Sequence, residues 1–176
     1  MADLPGPHPR TKRFRKFVAG VVLFFLGRGL VAAAKHDARV RGEVASWPDG
    51  TLITIAVAPD GPSASWRYEG GTLRYLGGGA VEGRPTLLVT YKSIDVALPV
   101  LLGRKGILEA FAEHRSTLAG DIGHGMSVVR CLHIVEGYLF PDIIAVPILP
   151  TRPVREVFFG KVYASLFSSS VQILQR

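Results

Sequence analysis

Cysteine is almost absent from this sequence. The single Cys131 excludes an internal disulfide and offers no pair of zinc thiolates, so a reduced cytoplasm is the expected setting. Catalytic groupings are missing too. His8, His36, His114, His124 and His133 are scattered, no HExxH pair occurs, and Ser127 lacks the G-x-S-x-G frame of a nucleophile elbow. The glycines at 120–125 do not form a dinucleotide fingerprint, and Cys131 and His133, two apart, point to different sides of a helix. The expectation is therefore a protein that is not an enzyme and has no metal site and no cofactor. Acidic residues are also scarce, 14 against 21 Lys and Arg, and the imbalance is local. Arg10, Lys12, Arg13, Arg15 and Lys16, offset by Asp3, leave +4 in the first sixteen residues, out of +7 for the chain. With no nucleic-acid module in view, that arm suits an anionic membrane surface rather than nucleic acid. A long uncharged apolar run is lacking as well. The stretch 17–27 ends at Arg28 and falls short of the ~20 residues needed to cross a bilayer.

What is present is apolar and aromatic. Hydrophobic residues make up 48% of 176, with nine Phe, five Tyr and two Trp, enough for one packed domain with extensions. Pro5, Pro7 and Pro9 mark residues 1–11 as a flexible leader. Residues 12–38 then read as a basic and apolar helix, and three roles stay open for it. It packs on the domain; or it lies at a membrane interface, with Arg13, Arg15, Lys16, Phe17 and Phe24 in contact; or, with Ala32-Ala33-Ala34 following the apolar run, it mimics a secretory signal split by Arg28.

After Pro48-Asp49-Gly50 the period shifts to two. A strand over 51–58 carries Ile53, Ile55 and Val57 on one side, and a second alternates Ala64, Trp66 and Tyr68 with polar residues. Glu69-Gly70-Gly71 turns it into a third strand over 72–76, and Gly77-Gly78-Gly79 closes this antiparallel meander. Residues 86–92 make a fourth strand. Ser93 opens a helix over 94–102, Ile107, Leu108, Phe111 and Ala112 recur at helical spacing, 116–118 forms a short fifth strand, and Met126, Val129 and Leu132 mark one side of a further helix. Beyond several prolines, 154–174 forms an amphipathic helix with the stripe Phe158, Phe159, Val162, Tyr163, Leu166 and Phe167.

This order of elements resembles the sterol carrier protein 2 type of lipid-binding domain. The local residues that carry the likeness are Ser93 opening a helix that ends at Leu102-Gly103-Arg104, then Ala110-Phe111, Leu118-Ala119-Gly120-Asp121 and Met126. Gly123-His124-Gly125 departs from a regular helix start. The resemblance spans about residues 50 to 133. It implies an α+β fold: a five-stranded, mainly antiparallel twisted sheet covered by helices on one side, with extra N- and C-terminal helices. The divisions are then 1–11, 12–38, a lipid-binding domain over 39–136, and a helical extension over 137–176. It also implies a hydrophobic tunnel, with Leu98, Leu101, Leu102, Ile107, Phe111, Met126 and Val129 as its lining, that holds a sterol, fatty acyl chain, acyl-CoA or phospholipid for transport without chemistry. Two alternatives accompany this reading: an accessory factor of isoprenoid quinone biosynthesis, and an enzyme acting on a bound lipid thioester. The expected partners are the lipid and, peripherally, an anionic membrane; the chain could also form a homodimer.

Overall fold

The computed structural model describes residues 9–139. The C-terminal stripe from Phe158 to Phe167 and most of the leader lie outside them. Helix α1, Pro9–His36, begins two residues before the end of the expected leader. One side of it, Ala19, Leu23, Leu26, Leu30 and Ala33, is buried at alternating spacings of four and three, the signature of a helix seated lengthwise on a core. By length and composition the segment Thr11–His36 could cross a membrane, with mean hydropathy 2.1, but half of that window is buried inside the protein. The uncharged part alone is too short; Arg28 is carried within a longer apolar helix.

Asp37 ends α1 and starts a helix absent from the sequence reading, α2, Ala38–Ala45. Its carboxylate accepts from the Arg39 and Val40 backbone N–H groups, at 2.9 and 3.4 Å, and from Tyr138 Oη at 2.8 Å. Burial alone would raise its pKa, but the bonds from Arg39 and Tyr138 outweigh it and hold the carboxyl below the ordinary aspartate range.

Strands β1 (Thr51–Val57), β2 (Ser63–Glu69) and β3 (Thr72–Gly77) form the expected meander. Gly70 and Gly71, at φ of 56° and 71°, make the two-residue turn between β2 and β3, which only residues tolerant of positive φ close without strain. The sheet is mixed. Strand β4 (Leu87–Tyr91) lies parallel to β1, and β5 (Ser116–Gly120) pairs antiparallel with β4, giving the order β3-β2-β1-β4-β5. The connection over 78–86 therefore leaves the β3 edge and enters the sheet on the far side of β1, which is what makes that pair parallel.

Helices α3 (Ile94–Leu101), α4 (Ile107–Ala112) and α5 (Ile122–Leu139) complete the fold. Gly123-His124-Gly125 is accommodated inside α5: Asp121 accepts from the His124 N–H at 2.9 Å, and Gly125 leaves room for Leu118, whose Cδ1 would sit 2.6 Å from any Cβ there. Residues from α1, α2, α3, α5 and the sheet merge into one apolar cluster around Trp66 and Ile53.

Two close approaches seat α1. Gly27 lies against the Tyr75 ring and Gly29 against Val135 of α5, each at a distance that excludes a side chain. The Gly27 carbonyl also accepts from Trp66 Nε1 at 3.0 Å.

Candidate functional site

A groove of about 640 Å³ opens between α1 and β3. Phe24, Arg28, Val31 and Lys35 form the helical wall, following one another at i, i+4, i+7 and i+11 and hence on one face. Leu73, Tyr75 and Leu76 supply the apolar part of the strand wall, with Arg74 beside them. A smaller cleft of about 240 Å³ shares Val31, Lys35, Thr72 and Leu73 and extends the trough toward α2. The volume is within the range of small-molecule sites.

Its aromatic lining is ordered. The Tyr75 ring sits 6.3 Å from Phe24, edge-on, and 5.9 Å from Trp66. Burial raises the Tyr75 phenol above its ordinary pKa, with Arg28 opposing the shift. The Arg28 guanidinium lies over the Phe24 ring, 5.4 Å from its centre. Arg28 Nε is buried without a hydrogen-bond partner, the one such side-chain atom among the described residues.

Among the described residues, those expected to line a tunnel lie on or beside α3, α4 and α5. Leu101 is in the core, while Leu98, Ile107 and Val129 are half-buried. Leu98 and Leu102 share a separate cleft of about 290 Å³ with Arg15, Asp95, Pro99 and Arg104. Phe111 and Met126 face solvent, 42% and 36% exposed. Of the residues expected at a membrane, Arg15 pairs with Asp95, and Lys16 with Asp60 at 2.7 Å, an interaction that lowers the Asp60 pKa. Arg13 is exposed, and so are Phe17 and Phe24, at 68% and 44%.

The chain is similar to solved sterol carrier protein 2 structures. One, "Crystal structure of sterol carrier protein 2", is 17% identical, covering 64% of this chain and 93% of its own, with a TM-score of 0.46. Sterol carrier protein 2 from Yarrowia lipolytica is 13% identical over 62% of this chain and 85% of its own, at 0.45. The UbiJ-SCP2 ubiquinone synthesis protein is 16% identical over 69% of this chain and 98% of its own, at 0.48. No protein-family model and no curated protein matches the chain. At such identities these likenesses assign no ligand.

Among the described residues, Cys131, Ser127 and Glu43 are held by packing and pairing. Burial pushes the Cys131 thiol up to about 12, which keeps it protonated and unreactive. Ser127 is committed to structure: it accepts from Trp47 Nε1 at 2.8 Å and donates to Glu43 at 2.7 Å, and Glu43 is clamped by Arg130. Among the described residues no group of three His, Cys, Asp or Glu side chains could hold a metal. Sequence reading missed Lys35, Leu73, Tyr75 and the role of Arg28. The signal available is the i, i+4, i+7, i+11 spacing of Phe24, Arg28, Val31 and Lys35 on α1.

Proposed function

We propose that this chain binds a lipid in the groove between α1 and β3 and carries it without chemical change. The observation behind this reading is the trough itself: an apolar floor of Phe24, Val31, Leu73, Tyr75 and Leu76 in a volume of about 640 Å³, away from any acid-base or nucleophilic pair. The resemblance of residues 50 to 133 to a lipid-binding domain supports lipid binding as such, while α1, one wall of this groove, lies outside it. Candidate ligands are a sterol, a fatty acyl chain, acyl-CoA, a phospholipid or a prenylated quinone precursor. Mass spectrometry of whatever co-purifies from native cells separates the transport and quinone readings.

Location is tested by substitution. Val31→Trp fills the trough from a half-buried position at the margin of the core, whereas Phe111→Asp alters the α4 surface. The expected result is loss of lipid binding, by about tenfold or more, in Val31→Trp alone. Unchanged binding in Val31→Trp with loss in Phe111→Asp would place the ligand near α4 instead.

One further observation favours contact with a membrane. Phe14, Phe17, Val21, Phe24 and Phe25 are all exposed along the outer side of α1, and Phe24 also lines the groove. A row of aromatic side chains beside Lys12 and Arg13 matches the interfacial helices that dip their apolar side beneath anionic headgroups. Contact there would bring the groove mouth to the lipid source.

A further inference from the structure

We infer that the groove selects lipids with an anionic head and that Arg28 holds that head. The inference rests on the groove being the ligand site. Its walls contain three cations, Arg28, Lys35 and Arg74, and no Asp or Glu. Lys35 and Arg74 are exposed and solvated, so the charge left without compensation next to apolar surface is that of Arg28, which a neutral sterol or ester does nothing to relieve.

Arg28 is the specific point of that imbalance. It makes no ion pair with any acid among the described residues, and its Nε is buried with no acceptor. Burying a guanidinium nitrogen without an acceptor is costly, and natural structures seldom tolerate it without a partner. The Phe24 ring compensates only in part. The guanidinium carbon lies 5.4 Å from the ring centre, a contact that supplies no hydrogen-bond acceptor for the N–H donors. A carboxylate or phosphate entering the trough would take those donors in the fork geometry that arginine favours.

Position supports the same assignment. Lys35 lies two helical turns on, about 10 Å along the axis, too far to share one carboxylate with Arg28. Arg28 stands beside Phe24 and Tyr75, so a head bound there leaves the acyl chain to run along Val31, Leu73 and the smaller cleft toward α2.

The test uses the full delipidated chain and the fluorescent fatty acid cis-parinarate, displaced in parallel by oleate, methyl oleate and inorganic phosphate. Oleate is expected to bind about tenfold or more tightly than methyl oleate, which has the same chain without the charge. In Arg28→Gln that preference should shrink to about twofold. Arg104→Gln removes the same charge from the other cleft and should keep the preference. Arg28→Met serves if the glutamine variant fails to fold. Equal affinity for oleate and methyl oleate, or a preference that survives loss of Arg28, overturns the inference while leaving lipid binding intact. Displacement by phosphate as effective as by oleate overturns it in favour of a free-anion site. Failure of cis-parinarate to bind at all overturns the groove reading as well.

Discussion

Replacing Gly27 by alanine tests how α1 is held on the sheet. A Cβ at this position would lie 2.3 Å from Tyr75 Cε2 and 2.6 Å from Cζ, more than 1 Å inside ordinary contact. The ring cannot simply swing aside, because it packs between Trp66 and Phe24. Either Tyr75 leaves its place or α1 lifts, and lifting also strains the Trp66 Nε1 bond to the Gly27 carbonyl. Overpacking of this kind costs about 1–3 kcal/mol, against a helix-propensity gain from Gly to Ala of about 1 kcal/mol. The net loss should reach up to about 2 kcal/mol, visible in urea as a midpoint lowered by up to about 1 M at an unchanged slope. Gly42→Ala is the control. Gly42 is exposed on α2 with open space where a Cβ would go, so the same change should stabilise by up to about 1 kcal/mol. A Gly27→Ala protein stabilised as much as Gly42→Ala would refute the close seating of α1 on Tyr75.

Three other outcomes are expected. Burial pushes the Glu136 carboxyl up to about 7, so the folded chain keeps a proton that the unfolded chain loses from about pH 4.5; stability should fall between those two values and level off above them. The loss is on the order of 3 kcal/mol, and Glu136→Gln should abolish it; equal pH 5 to pH 8 differences for parent and variant in urea unfolding would count against the assignment. Ser127→Ala leaves Trp47 Nε1 without an acceptor and should cost about 1–3 kcal/mol by thermal or urea unfolding, part of it recovered by adding Trp47→Phe. In vesicle flotation the full chain should bind anionic vesicles at low salt and release them at high salt, and the double variant Phe14→Ser/Phe17→Ser should bind about tenfold or more weakly. Retained flotation of that variant removes the membrane reading, and a dimer that dissociates on the same substitution would show a second copy on this face instead.

All five strands were legible because alternation and glycine turns are local signals: Ile53, Ile55 and Val57 alternate inward, and Gly70-Gly71 fixes the hairpin. Helix α2 was not, since Val40 and Val44 look like a continuation of α1 unless Asp37 is recognised as a cap. Nor was the parallel pairing of β1 with β4, which depends on where residues 78–86 deliver the chain rather than on either strand. On α3 the apolar residues were correctly placed on a helix, but Ile94, Ala97 and Leu101 turn toward the core, leaving Leu98 and Leu102 partly exposed. The groove escaped notice for a different reason. Its walls come from segments about forty residues apart, and nothing in either one announces the other.

The seating of α1 has a consequence for synthesis. Strands β2 and β3, which give this helix its resting place, are complete only at Gly77, roughly 40 residues after His36. At about 5–20 residues per second the helix waits roughly 2–8 s with nothing of its own chain to rest on. During that interval Leu23, Leu26 and Leu30 are as bare as Phe14, Phe17 and Phe24, so the nascent helix shows apolar side chains on opposite sides, interrupted by Arg28. Which surface the helix meets first is therefore decided by the order in which the chain leaves the ribosome.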